Sequence, residues 1–341
     1  MLRAAPVSLA MAFLAVSAKA GTIHVPADQP TVQAGLAAAT FGDVVIVAAG
    51  TYVEHDLVMP SGVTLRGNPA DPSSVIIDAQ QLGRVLSCVG SAASTVIEGV
   101  MIMDGLLIAP YPNGIGGGIY CGSGASPQIR SCVFEGNSSS DFGGGLYSTG
   151  SAPSITSCVF QANSSNYGGA AAITNGSLAQ FVDCQFLYNS AAVVGGAIDN
   201  AWYSDGSYDH CVFAGNHGEH GSGGLITYYS KPTVSFCTFF DNSAGTVEYG
   251  GAHMLCDTGS APSVGQVRFV TADSLAFFTW YGRDLRRVPR ESVQTLYVVN
   301  ISALRTTLAV IGIPVLAVGV AVVIIVATGT EIADLPPANF P

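Results

Sequence analysis

Charge is what this sequence has least of. Of its 341 residues only 10 % are Asp, Glu, Lys or Arg, and 12 of those are basic. Between positions 21 and 264 the basic side chains reduce to Arg66, Arg84, Arg130 and Lys231, against 18 acidic ones. Such a surface repels nucleic acid, which is excluded as a partner, and repels anionic polysaccharide unless a divalent cation intervenes. Close-spaced metal ligands are also missing: no Cys-x-x-Cys occurs among the 8 cysteines, so a tetrahedral metal site has no framework. The apolar runs are short, without the sustained three- and four-residue spacing that helical repeats require. Disorder is equally excluded, because 49 % of the residues are hydrophobic. With 41 glycines, that composition suits strands separated by turns.

What is present is a repeat. Five copies of Cys-x-Phe-x-x-Asn occur: Cys132/Phe134/Asn137, Cys158/Phe160/Asn163, Cys184/Phe186/Asn189, Cys211/Phe213/Asn216 and Cys237/Phe239/Asn242. The steps between their cysteines are 26, 26, 27 and 26 residues. A Gly-Gly phrase runs in counterpoint, at Gly117-Gly118, Gly144-Gly145, Gly195-Gly196, Gly223-Gly224 and Gly250-Gly251, with Gly169-Ala170 as a variant. A fixed period of this length signals a solenoid, in which each unit buries its apolar face only against its neighbours. Cys and Phe two apart share one face of a strand, so both point inward. Ile155 and Cys158 are three apart, so bringing both inward requires a bend between them. Each Asn falls where a coil must turn, and Asn tolerates the left-handed conformation of tight turns. Stacked coils then give ladders of Cys, Phe and Asn. The expected fold is all-β, a right-handed parallel β-helix solenoid with an N-terminal cap helix.

The pairing of Phe-x-x-Asn with Gly-Gly-Ala and an aliphatic residue, as in Phe186/Asn189 followed by Gly195-Gly196-Ala197-Ile198, resembles the repeat of chlamydial-type polymorphic outer-membrane proteins. More broadly it resembles the pectate-lyase-like β-helix superfamily. The likeness covers roughly Val96 to Val264 and implies the fold, since that superfamily holds lyases, hydrolases, adhesins and inert stalks alike. The polygalacturonase members would imply Asn-Thr-Asp, Asp-Asp, Gly-His-Gly and Arg-Ile-Lys motifs, none of which occurs here. A pectate lyase would imply a Ca²⁺ cluster with a nearby Arg or Lys base, and the repeats offer only Arg130 and Lys231.

The ends of the chain read differently from the repeats. Residues 1–20 have the form of a secretory signal, with Arg3, an apolar core from Pro6 to Val16 and Ala18-Lys19-Ala20 as cleavage site; the alternative is an uncleaved anchor. Residues 21–264 form the β-helix, opened by a short helix over Thr31 to Ala39. Ala49 to Tyr52 reads as a turn and Leu106 to Asn113 as a loop. Residues 265–303 read as a small β/juxtamembrane segment and 304–328 as a transmembrane helix, because Leu308 to Ala327 carries no charge over a bilayer's length. Residues 329–341 are the tail. The protein is thus expected to be exported and anchored in the inner membrane, with its β-helix extracytoplasmic. Arg283, Arg286, Arg287, Arg290 and Arg305 precede the span, the reverse of the positive-inside pattern, which points to a folded unit that crosses regardless or to a fusion.

Candidate sites are few. Asp199, Asp205 and Asp209 sit in one longer insertion with Trp202, Tyr203 and Tyr208. Carboxylates with loop carbonyls suit Ca²⁺, the one cofactor the pattern suggests, and surface aromatics suit stacking on a sugar. His217, Glu219 and His220 suit a metal or proton transfer, or simply a solvated turn. Five of the eight cysteines form the ladder and are read as free, since parallel side chains fit a disulfide's dihedral poorly; Cys88, Cys121 and Cys256 lie outside it. The function this implies is a non-catalytic surface stalk or adhesion module, with a cell-surface glycan or protein and the membrane as partners. The alternative is a carbohydrate-active enzyme, a polysaccharide lyase or glycoside hydrolase. Protease added to spheroplasts should digest the β-helix and leave a small membrane-held fragment. Full protection until lysis would mean that the arginines set the orientation.

Overall fold

The computed structural model describes residues 20–109 and 113–244, together with five short strands between 267 and 314. The described residues up to 244 wind into coils of short parallel strands. One coil shows the plan, with strands at Gln128–Arg130, Val133–Glu135, Ser138–Ser139 and Leu146–Thr149. Each pairs in parallel with its counterpart one coil on: Ser154–Thr156, Val159–Gln161, Ser164–Tyr167 and Ala171–Thr174. Repetition builds four parallel sheets of nine, eight, six and seven strands. The first coils are less regular in sequence yet join the same sheets, through Thr64–Arg66, Val75–Asp78 and Val96–Glu98. Gly50–Val53, expected as a turn, is a strand paired with Val75–Asp78. Leu106–Leu107, expected in a loop, is a strand paired with Ser138–Ser139, because the coil period overrides local turn propensity.

Three of the interior columns come from the Phe, Ile and Cys positions of the repeat. Phe134, Phe160, Phe186, Phe213 and Phe239 stack with centroids 4.3, 5.2, 4.6 and 4.3 Å apart and ring planes within 17°. Beside them runs Ile97, Ile129, Ile155, Phe181 and Tyr208 in direct register. The third column is cysteine: Cys132, Cys158, Cys184 and Cys211 are buried, Cys237 is half-buried, and all are free thiols. They are more than small hydrophobes, since Cys158 Sγ donates to Thr156 O at 3.4 Å and accepts the Cys132 N–H at 3.4 Å. Burial, with hydrogen bonds from Cys132 and Cys184, pushes the Cys158 thiol well above the ordinary range, which makes it a poor nucleophile. Cys88 and Cys121 lie directly opposite each other on adjacent coils, both buried and free. Cys256 lies outside the described residues.

The bend demanded between Ile155 and Cys158 is a left-handed residue just before each cysteine. Ser131, Ser157, Asp183, His210 and Phe236 have φ of 48, 52, 54, 51 and 52°. The asparagines differ from their sequence reading as turn formers. The left-handed residue is the one before each of them, Gly136, Ala162, Tyr188, Gly215 or Asp241. Asn137, Asn163, Asn189, Asn216 and Asn242 are themselves buried, because their amides are needed for bonds inside the solenoid. From Asn137 to Asn216 each side chain spans three coils. Asn163 Nδ2 donates to Phe134 O at 2.9 Å and to Asn189 Oδ1 at 3.0 Å, while its Oδ1 accepts from Asn137 N at 3.1 Å and Asn137 Nδ2 at 3.0 Å. Asn242, the last of the column, corrects the turn reading in the same way. It is 4 % exposed, its Nδ2 donates back to Phe213 O at 2.8 Å, and its Oδ1 accepts from Asn216 N at 3.0 Å and Asn216 Nδ2 at 2.7 Å. The coil that would follow it lies outside the described residues. At Gly144 an added Cβ would sit 2.4 Å from Ser164 O and 2.5 Å from Gly169 O, so the Gly-Gly phrase is there for close backbone approach.

The helix Val32–Ala38 is N-capped by Thr31 Oγ1 and buries Val32, Gly35 and Leu36. Its face meets Val25 and Val45 of the first two strands, where a Cβ on Gly35 would come within 2.9 Å of both. Beyond the β-helix, Val267–Val270, Ser274–Phe278 and Leu285–Pro289 form an antiparallel sheet. Val310–Pro314, inside the run expected to cross the membrane, is a strand antiparallel to Thr295–Val299; the rest of that run, like the signal segment, lies outside the described residues. Among the described residues no helix is long and apolar enough to cross a membrane.

Both ladders make stability predictions. Phe186→Ala should cost about 3–5 kcal/mol, because the rings above and below cannot collapse into the gap. Asn189→Ala should also destabilise, by about 1–3 kcal/mol for each buried backbone or amide group left without its partner. Chemical denaturation of each variant checks this, and an unchanged midpoint for either would remove that column from the core.

Candidate functional site: a groove beside Asp199

Strands alternate their side chains, so a row that does not point inward lines up along the outside. On the fourth sheet the register places Tyr120, Tyr147, Ala172, Asp199 and Ile226 in one such row. Facing it is a second row, Ile115, Phe142, Tyr167 and Val194, from the end of each third strand or the bridge just after it. The rows meet through aromatic contacts: Phe142 lies 4.8 Å from Tyr167 and 5.9 Å from Tyr147, centroid to centroid. Together with buried Ala172 these rings form an apolar cluster separate from the main core.

Where the first row reaches Asp199 the surface opens into a cavity of about 580 Å³. Asp141, Phe142, Tyr167 and Val194 line one side, and Asp199, Ala201 and Trp202 the other. Trp202 is 37 % exposed and packs edge-on against Phe142 at 5.4 Å and 62°. Its backbone is left-handed, with φ of 53°, at a corner that the preceding coils fill with Gly150 and Asn175. Tyr229 stands at the same corner one coil on with φ of 50°, so left-handed backbone is regular there and the coil fixes where the Trp202 ring stands.

Asp199 is 2 % exposed, and its Oδ1 has no hydrogen-bond partner. Asp141 Oδ2 is likewise buried and unpaired. Among the described residues four buried side-chain polar atoms lack a partner, and these two border the same cavity. Burial alone pushes the Asp199 carboxyl up to about 7, so near neutral pH it is divided between acid and carboxylate. A buried carboxyl that the fold leaves without a partner singles out this cavity as the candidate site.

Of the residues singled out in the sequence, Asp199 and Trp202 come to the cavity and the others do not. Tyr203 is 75 % exposed on the adjoining corner, 6.3 Å from the Tyr229 ring. Tyr208 is no surface aromatic: it is 1 % exposed, stacked on Phe181 at 5.3 Å, with its hydroxyl donating to Asn200 Oδ1 at 3.1 Å. It points inward because it occupies the register position of Ile155 and Phe181. Asp205 accepts the Lys231 N–H at 2.8 Å, and Asp209 faces His210 at 3.1 Å on the first sheet. Asp199, Asp205 and Asp209 therefore do not converge, and no group of three His, Cys, Asp or Glu among the described residues could hold a metal. The oxygen cage that Ca²⁺ needs is not formed by them. His217 bonds Ser243 Oγ at 3.0 Å and Glu219 at 3.3 Å on the exposed third sheet, and His220 is exposed beside them. Asp141, Phe142 and Tyr167 escaped the sequence reading. For Phe142 and Tyr167 the signal was the residue before each left-handed glycine, which runs Ile115, Phe142, Tyr167, Val194 at the coil period; Asp141 had none.

Comparison with known proteins places the fold in a family. The model described as a right handed beta helix region matches residues 86–261, more than half of the chain, and the chain belongs to that family. Similar solved structures include a pectin methylesterase from carrot, 14 % identical, covering 62 % of this chain and 82 % of its own, with a TM-score of 0.38. Another is the pectin methylesterase PemA from Erwinia chrysanthemi, 12 % identical, covering 81 % of this chain and 87 % of its own at 0.39. The pectin methylesterase from Yersinia enterocolitica is 12 % identical, with 77 % and 87 % covered and a TM-score of 0.38. No curated protein matches the sequence. These findings carry the right-handed β-helix and not the narrower resemblance to polymorphic outer-membrane proteins.

Asp199 should make stability depend on pH. Its folded value lies above the unfolded 3.8, so the folded chain holds the extra proton between 3.8 and about 7. Stability from this group is full below the lower value and is lost as pH rises through the upper one, roughly 4 kcal/mol in all. Asp199→Asn should therefore match the parent at about pH 4 and exceed it at about pH 9. Urea denaturation across that range reads the difference, and parallel curves for the two proteins would show that Asp199 is not buried.

Proposed function

We propose that this is an exported, membrane-held β-helix protein that binds a glycan without transforming it. The observation that carries this reading is the Asp199 groove: a buried carboxyl with an unpaired oxygen, lining one cavity with the half-exposed Trp202 ring. Ligand sites combine apolar walls with a few convergent polar groups, and a sugar ring presents both an apolar face and hydroxyls. The rest of the solenoid then acts as a stalk that carries the groove away from the membrane. Anchoring by residues 304–328 and export through residues 1–20 belong to this proposal.

A second reading has its own support. Asp141 and Asp199 border one cavity, and an acid divided between its two states near pH 7 is matched to general acid–base work. That is the pairing a glycoside hydrolase would use. Incubating the full chain with a panel of uronic-acid and neutral polysaccharides separates the two. The expected result is retention on one or more of them without reducing ends or unsaturated products, with retention lost in Trp202→Ala. Product formation that disappears in Asp199→Asn would establish the enzyme instead.

A further inference from the structure

We infer that the groove beside Asp199 takes an uncharged sugar ring, with ring hydroxyls toward the carboxyl groups of Asp199 and Asp141 that line it and Trp202 against the ring's apolar face, and that uronic-acid chains are excluded. This rests on the glycan-binding reading and narrows it to a substrate class.

The polar half of the site consists of two carboxyl groups. Asp199 Oδ1 and Asp141 Oδ2 are both buried and unpaired, and what satisfies a carboxylate oxygen is a donor. Hydroxyls donate, and a uronic acid has them too, but its carboxylate adds negative charge beside two carboxyl groups. The apolar half is a wall rather than a slot: Phe142 and Tyr167 stack at 4.8 Å and Trp202 braces their edge at 5.4 Å. An occupant with one apolar face and a rim of hydroxyls satisfies both halves at once.

The basic residues decide the sign of the ligand, because an anion needs one of them. Among the described residues from 20 to 244 these are Arg66, Arg84, Arg130 and Lys231. Arg66 and Arg130 bracket Glu98 in the outward row of the first sheet and are held there by ion pairs, that of Arg130 being 2.9 Å long. Arg84 lies at the far end of the groove, over the Tyr120 ring. Three of its five N–H groups donate, to Gly116 O at 2.8 Å, Ile115 O at 2.7 Å and Ser87 Oγ at 3.1 Å, and it does not line the cavity. Lys231 sits past Asp205 at a corner one coil on and does not line the cavity. Among the described residues the cavity lining thus offers a uronate two carboxyl groups and no Arg or Lys.

The test uses the full chain and follows tryptophan emission during titration with neutral hexasaccharides (gluco-, xylo-, galacto- and manno-configured) and with oligogalacturonate, each with and without added Ca²⁺. A neutral hexasaccharide should bind. Asp199→Ala should weaken that binding about tenfold or more, as expected for loss of a charge-assisted hydrogen bond. Trp202→Ala, read by calorimetry because it removes the reporter, should do the same, and Asp205→Ala should change nothing. Calorimetry also guards against a silent probe, and circular dichroism confirms that each variant is folded. Oligogalacturonate binding as well as or better than the neutral sugars would overturn this inference while leaving the glycan reading intact. Neutral binding that survives both Asp199→Ala and Trp202→Ala would place the site elsewhere and overturn it too. No binding of any sugar by either method would overturn both readings together.

Discussion

From Asn137 to Asn216, each buried asparagine holds three coils in register with one amide. The Nδ2 of Asn189 reaches back to Phe160 O at 2.9 Å and forward to Asn216 Oδ1 at 2.9 Å, and its Oδ1 takes two donors from Asn163. All the bonding capacity of the side chain is thereby used, in an interior where an unmet polar group costs about 1–3 kcal/mol. The geometry works only when the same residue stands at the same place in the next coil, as Asn242 does for Asn216. A slip of one position would leave every amide in the column unmet, so the ladder sets the coil length as firmly as the apolar columns do. The one coil of 27 residues, between Cys184 and Cys211, keeps its asparagine in line and so must place its extra residue away from the ladder.

Register along the axis has a second consequence on the outside. Side chains that alternate outward also stack coil upon coil, so rows of unlike residues form without any local sequence motif. Tyr120, Tyr147, Ala172, Asp199 and Ile226 make such a row. The small Ala172 and the short Asp199 interrupt what would otherwise be a continuous apolar rib. The facing row of Ile115, Phe142, Tyr167 and Val194 stays apolar throughout, which is why the interruption is felt as a cavity with one polar corner.

The corner carries a cost that the fold itself does not require. Asp199 is kept in an environment that disfavours its charged form, and Trp202 occupies a left-handed position that Gly150 and Asn175 fill more easily. Both features lower stability at neutral pH, and both converge on one cavity. A solenoid distributes its stability over many equivalent coils, so it tolerates a local loss that a small globular core would not.

The repeat of Cys, Phe and Asn was legible in the sequence, and with it the parallel solenoid, the inward Phe column and the bend before each Cys. These depend on a period within the chain, and a period is visible without coordinates. The role of the asparagines was half legible: their place at the corners was plain, but the left-handed residue is the one before, since the Asn side chain is needed for bonds inside. Tyr208 read as a surface aromatic because it lies in an irregular insertion, and only the register that puts it above Phe181 turns it inward. The groove was the least legible feature. Asp141, Phe142, Tyr167, Asp199 and Trp202 come from three successive coils, separated by whole periods in sequence and joined only by stacking. A sequence determines which residues share a face within one coil. Which faces of different coils close around a cavity, and which carboxylate is left there without a partner, is decided by the stack.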